Sequence, residues 1–425
     1  MKQLFVIEDG LANKISYYHI LLLMASLPFD RFYSHIILIS FAVHTIIHFN
    51  RNGAAQVFTW RTLVLQSVFF VTLISTIYTV NRAEAFNEWS KQITIFLMPL
   101  IFCFTTLDIK KYREQLLLSF SLVCTATIVY LYADAFLTIR YYHLPISAII
   151  SEAFTNHNFS EPIDMHATFF SMQVAVALVC VIAALIRVTS LFYRLVFTIC
   201  ACILLAGLVQ LCSKSIFIAL FIIINIAIPV TLLKERRQRL KFVLVAFAMS
   251  VLIIAGIFLI GAFRERYVTE LKTDFTLVPK DVTSDSRLAR WEIAVGFIKQ
   301  SPIIGHGAGS EVGLLRETFF EKKYYNSYLN KLNVHDEYLS FLFKSGIWGL
   351  LVYLATLAFG FKMAIQRKDI FFFTFMTLIA IVSVSENLLD VDKGIFFYAF
   401  FFSFFMFSAN GRSQNESTNT GYNVG

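Results

Sequence analysis

A few side chains stand out for the chemistry they could carry. Arg287 and Arg290 lie three residues apart in a run with the marks of a helix start. Ser284, Asp285 and Ser286 offer N-caps, no Gly or Pro intervenes before Gly296, and Pro302 stops the run. At helical pitch the two arginines share a face beside an apolar stripe of Leu288, Trp291, Val295 and Ile298. Two guanidiniums side by side suit phosphate oxygens, because each planar fork donates charge-assisted hydrogen bonds in pairs. The same spacing also describes a solvated charged face beside a packed one.

His335 stands just ahead of an apolar run, with Asp336 and Glu337 behind it. Imidazole is the side chain best matched to proton transfer near neutral pH, and a neighbouring carboxylate could orient it. A lone histidine in a loop can equally be incidental. Lys214, flanked by Ser213 and Ser215, falls where two apolar runs meet. An ammonium there is either kept for its charge or reaches water along its stem. His166 opens an apolar run after Asp164, and Glu386 closes another with Asp390 and Asp392 close behind; each could face a polar cavity or mark a helix boundary. Taken together, Lys214, Arg287, Arg290 and His335 would suit a pyrophosphate with a nearby hydroxyl to deprotonate.

These residues need a scaffold, and composition says what kind. The chain has 425 residues, 57% of them hydrophobic and only 15% charged, with a mean hydropathy of +0.68. That is far more apolar than a soluble domain needs, and it indicates an all-α polytopic membrane protein. Twelve apolar stretches, centred near residues 22, 41, 71, 98, 126, 176, 201, 223, 251, 352, 379 and 401, are candidate spans. They divide the chain into N-terminal spans over 1–262, a large polar loop over 263–337 between spans nine and ten, C-terminal spans over 338–409, and a tail over 410–425 with the composition of a disordered terminus. With the N-terminus in the cytoplasm, inside segments hold eighteen Lys and Arg and the short outside segments six, which places both termini inside and the large loop outside. The net charge of +8 is therefore explained by topology and not by nucleic acid. The six cysteines show no CxxC pair and no histidine at metal-ligand spacing, so they read as core residues, and no metal site is expected. Gly305, Gly307 and Gly309 follow Pro302 without a preceding strand, so they make a sharp turn and not a dinucleotide fingerprint.

The pattern as a whole resembles the O-antigen ligase family, whose domain also covers O-antigen polymerases and some protein O-oligosaccharyltransferases. The resemblance rests on Arg287 and Trp291, on Pro302 to Gly309, on His335 to Leu339 and on Gly346 to Gly349. Ser213 to Ser215 falls where the family has a Ser-Arg pair, so Lys214 is a departure, and Ser385 to Asn387 falls at a late acidic motif. The run from His166 to Ser171 also resembles a family motif. The resemblance covers roughly residues 160 to 405. It implies a GT-C-like, metal-independent inverting glycosyltransferase in the bacterial inner membrane, working on the periplasmic face without a cofactor. Its implied partners are an undecaprenyl-pyrophosphate-linked glycan donor, a lipid A core acceptor and membrane lipids. By position His335 would be the general base. Arg287 would hold the donor pyrophosphate and stabilise its departing charge, with Lys214 and Arg290 helping and Glu337, Glu386 and His166 in support. A polymerase of the same superfamily, acting in O-antigen or exopolysaccharide synthesis, differs only in acceptor. A membrane transporter is the alternative from another class, against which stand the large loop and the lack of visible repeats.

Overall fold

A computed structural model describes residues 6–408 except 260, 270–271 and 273–285. The expected tail over 410–425, two of the three N-cap candidates (Ser284 and Asp285) and part of the polar loop lie outside the described residues.

Among the described residues the chain is helical, with no strand. Single turns apart, α1 (Leu11–Ser26), α2 (Arg31–Ile47), α3 (Trp60–Ser75), α4 (Arg82–Phe104), α5 (Ile109–Tyr141), α6 (Ala167–Arg187), α7 (Leu191–Leu211), α8 (Lys214–Leu232) and α9 (Arg236–Leu259) precede the polar region. Within that region lie α10 (Arg287–Gln300) and α11 (Glu311–Glu321), and after it come α12 (Glu337–Gln366), α13 (Ile370–Val382) and α14 (Asp392–Ser408). A helix covers each of the twelve expected span centres, and among the described residues five helices, α5, α6, α7, α8 and α12, are long and apolar enough to cross a membrane.

The core is built around α14. A helix apolar on every side has no face to give to water and must be enclosed. Phe396, Phe397, Phe400, Phe401, Phe402, Phe404 and Phe405 are accordingly buried on all sides of it. Phe375 of α13 sits 5.7 Å from Phe397 and 5.8 Å from Phe405, ring centre to ring centre, the separations at which aromatic pairs gain beyond simple burial. This aromatic post fixes the height of the turn between α13 and α14, which carries Glu386.

The long helices give the bundle two ends. α6 runs from His166 at one end to Arg187 at the other, about 31 Å at the usual helical rise. α12 likewise runs from Glu337 to Gln366, and α13 returns to Ser383 and Glu386.

α12 is broken. Gly346 has φ 62° and ψ −160°, a conformation open to glycine only. The break frees the carbonyls of Phe343 and Lys344 and the amide of Ile347, and buried backbone groups must find partners. The glycine turn after α10 supplies them. His306 N donates to Phe343 O at 2.9 Å, Gly307 N to Lys344 O at 2.8 Å, and Ile347 N reaches Pro302 O at 2.9 Å. The two glycine motifs thus form one joint, docking the end of α10 onto the kink of α12. A Cβ on residue 346 would lie 2.2 Å from Ile303 O, and one on residue 307 would lie 2.3 Å from Thr79 Cα, so neither position tolerates a side chain. Gly346→Ala is therefore expected to destabilise the folded protein by at least about 2 kcal/mol, combining strain and backbone clash. Thermal unfolding in detergent checks this, and an unchanged midpoint would contradict the joint.

Candidate functional site

The arginine helix starts where the sequence places it. Ser286 is the N-cap of α10, its Oγ accepting from Ala289 N at 3.2 Å, so Arg287 is the first helical residue. The buried face differs from the expected one. Ala289, Arg290, Ile293 and Ala294 point inward, and Ile293 and Ala294 pack with Leu315, Phe319, Val334 and Phe343, while Leu288 and Val295 are only half-buried. The helix is clamped between α11 and α12, so the small residues Ala289 and Ala294 set the contact. Arg290 is drawn in with them and is 6% exposed, whereas Arg287 remains half-buried at the edge.

Arg287 Nη1 donates to Ser385 O at 2.9 Å, which ties α10 to the turn between α13 and α14. The next residue of that turn, Glu386, places Oε2 3.3 Å from His335 Nδ1. Three segments far apart in sequence therefore meet at the turn that carries Glu386. His166, at the start of α6, contributes to the same electrostatic environment, and its ring lies 4.2 Å from that of His157. Burial raises the pKa of Glu386, but the hydrogen bond from His335 and the cationic influence of His166, His335 and Arg287 outweigh it, leaving the carboxyl below its ordinary value. Glu386 is thus an anion at neutral pH. A carboxylate at Nδ1 selects the imidazole tautomer protonated there, which leaves Nε2 to accept a proton. The His335 side chain is 26% exposed and that of Glu386 is 13% exposed, so the imidazole can be reached while its partner is sheltered.

The backbone carrying His335 is held on both sides. Val334 N donates to Glu311 Oε1 at 3.0 Å, Val334 O accepts from Trp291 Nε1 at 3.0 Å, and Asp336 N donates to Asn387 Oδ1 at 2.8 Å. Between these clamps His335 adopts φ 52°, a left-handed conformation unusual for a residue with a side chain. Such strain persists only where the surroundings over-determine it, and here they aim the imidazole at Glu386.

The acidic neighbours of His335 in sequence do not serve as its partners. Asp336 is the N-cap of α12, accepting from Leu339 N at 2.9 Å. Glu337, turned inward by the helix that starts there, is 1% exposed and accepts from Leu389 N at 2.8 Å. The carboxylate that orients His335 comes instead from position 386, fifty-one residues away.

Beneath the site lies a buried charge network that sequence reasoning missed. Lys344 Nζ donates to Asp390 Oδ1 at 2.6 Å and to Glu88 Oε1 at 3.3 Å, and Glu88 Oε2 accepts from Gly309 N at 2.9 Å. Glu311 accepts from Ser340 Oγ at 2.5 Å and from Asn387 Nδ2 at 3.3 Å, and the same Nδ2 reaches Asp390 Oδ2 at 3.0 Å. Burial pushes Glu311 upward and Asp390 adds to it, against the pull of Lys344. The network ties α4, α11, α12 and the Glu386 turn together. Lys344, set between Phe343 and Ser345 within the apolar run of α12, was the signal for it.

Asp336 gives this region a pH signature. Burial raises its carboxyl from the usual 3.8 to about 6 against the hydrogen bonds from Leu339 and Tyr338. Because the folded value lies above the unfolded one, the stabilisation is complete below about pH 4 and is lost as pH rises through about 6. Asp336→Asn, which keeps the cap, is expected to gain a few degrees in thermal midpoint over the wild type as pH rises from 4 to 7. Parallel pH profiles for the two proteins would contradict this.

Lys214 reaches the same end of the bundle by another route. It opens α8 four residues after Gln210, whose amide donates to Ile149 O and Phe154 O at 2.6 and 2.5 Å. These carbonyls belong to the segment that carries His157 beside His166.

No curated protein matches the chain. A family model described as O-antigen ligase matches residues 199–354, a stretch that includes Lys214, Arg287, Arg290, His335, Glu337 and the kink at Gly346, and that ends before Glu386. Over residues 199–354, then, the chain carries an O-antigen ligase family domain.

Proposed function

We propose that the chain is an O-antigen ligase of the bacterial inner membrane. It would transfer a glycan from undecaprenyl pyrophosphate to a hydroxyl of lipid A core on the periplasmic face, with both termini in the cytoplasm. The observation that carries the reading is the convergence of His335, Glu386 and Arg287 from three segments, inside and just beyond the family domain.

In the proposed reaction His335 Nε2 takes the proton from the acceptor hydroxyl as its oxygen attacks the anomeric carbon. The bond from that carbon to the pyrophosphate oxygen breaks on the opposite face, so configuration inverts. The electron pair leaves with the pyrophosphate, and Arg287 stabilises the charge that builds there. Glu386 stabilises the imidazolium formed at His335. The guanidinium of Arg287 has five donors, so its bond to Ser385 O is compatible with binding phosphate oxygens. Lys214 supplies a further positive charge, without the bidentate geometry of arginine. Arg290, being buried, supports the helix beneath the donor and does not line it. No step is assigned to a metal or a cofactor.

Reconstituted protein given the polyprenyl-linked glycan, with and without lipid A core, tests this. Glycan attached to the core is the expected product. Long chains built on the lipid carrier without core would make the protein a polymerase. Solute uptake with no transfer to any acceptor would make it a transporter.

A further inference from the structure

The end of the bundle opposite His335 holds a second site. A cavity of about 520 Å³ opens among the starts of α5 and α13 and the ends of α6, α8 and α12. It is lined by Lys110, Lys111, Arg113, Arg187, Arg367 and Lys368, against only two carboxylates, Glu114 and Asp369, which leaves four positive charges in excess. Both carboxylates are already engaged. Arg113 Nη2 holds Asp369 at 2.6 and 2.7 Å, and Arg187 Nη1 holds Glu114 at 2.6 Å. The buried Nε of Arg113 has no hydrogen-bond partner among the described residues.

Basic residues at helix ends are ordinary topology signals, but these line a concavity, and it has an apolar continuation. Glu114, Arg187 and Phe371 also border a neighbouring groove of about 230 Å³, whose remaining lining is Leu117, Leu118, Cys180, Ala183, Ala184 and Val188. A cationic chamber that runs into an aliphatic groove along α5 and α6 matches a phosphate headgroup with a hydrocarbon chain attached. A free anion would have no use for the groove, and a neutral lipid would leave the excess charge unmatched.

We propose that this cavity binds an anionic diacyl phospholipid, with its phosphate among Lys110, Arg113, Arg187 and Lys368 and one acyl chain in the groove beside Ala183 and Ala184. Bound there, the lipid would bridge α5, α6 and the turn between α12 and α13, the helices whose other ends carry His166 and the Glu386 turn.

Native mass spectrometry of the detergent-purified full chain, offered equal phosphatidylglycerol and phosphatidylcholine, tests the assignment. The wild type is expected to retain phosphatidylglycerol several-fold over phosphatidylcholine. Lys110→Gln combined with Lys368→Asn removes two exposed charges, Asn being chosen because position 368 has φ 51°. Separately, Ala184→Trp fills the groove. Each variant is expected to lose most of the preference at unchanged thermal midpoint. Equal retention of the two lipids, or charge variants that bind as the wild type does, would overturn the proposal. So would inorganic phosphate displacing the lipid at equal concentration, or a polyprenyl phosphate preferred over phosphatidylglycerol.

Discussion

Replacing His335 by alanine is expected to lower glycan transfer by about 10²- to 10⁴-fold while the donor still binds, the range a general base contributes. The geometry points to a loss in turnover and not in donor affinity. The imidazole touches a carboxylate through Nδ1 and its side chain is 26% exposed, whereas Arg287, on a different element, faces the donor in the proposed mechanism. Glu386→Gln isolates the orienting role, because the amide keeps the size but removes the charge that stabilises the imidazolium. Its loss is expected to be smaller than that of His335→Ala, again with donor retention intact. Radiolabelled donor retained on the protein in detergent, measured alongside the transfer rate, separates the two effects. A variant at 335 that transfers at near wild-type rate would end the general-base assignment. One that loses donor in proportion to rate would recast His335 as a binding residue.

Arg287→Ala carries the second large expected effect, about 10²- to 10³-fold in transfer, comparable with removal of a preplaced group that stabilises developing charge. Arg287→Lys is expected to recover part of it, since an ammonium neutralises phosphate but lacks the planar fork. Arg287 also holds the Ser385 carbonyl, so the alanine variant loosens the turn that carries Glu386. The thermal midpoint of each variant distinguishes the roles. A rate loss with an unchanged midpoint, partly restored by lysine, fits donor stabilisation. A midpoint drop matching the rate loss, with lysine no better than alanine, would reduce Arg287 to a structural tie.

The sequence exposed the parts of this site that are local. Ser286 caps α10 because a short hydroxyl ahead of a helical run has one physical use there, and the apolar stretches became helices because nothing else satisfies the backbone in an apolar setting. His335 and Arg287 stood out by residue type. What the sequence hid depends on contacts between distant segments. Glu386 was visible as an acid at a helix end, yet its meeting with His335 needs the aromatic post of α14 to set the height of its turn. Asp336 and Glu337 were nearer in sequence and looked the better partners, but the helix that starts there turns Glu337 into the bundle and spends Asp336 on the cap. The same limit applies to Arg290. Its spacing from Arg287 was legible, but which way the face turned was decided by packing against α11 and α12. The glycines at 305 to 309 were read as a local turn and Gly346 only as part of a family motif, whereas together they form the joint that repairs a broken helix.

The central claim is that this chain moves a glycan from a polyprenyl pyrophosphate to a hydroxyl, with His335 taking the proton. The most direct measurement is a single-turnover reaction of purified wild type and His335→Ala with doubly labelled donor, following glycan and polyprenyl pyrophosphate together. The account expects one pyrophosphate carrier released for each glycan joined to lipid A core by the wild type, and both products formed about 10²- to 10⁴-fold more slowly by the variant. Release of carrier without glycan on any acceptor, or equal single-turnover rates from both proteins, would contradict it.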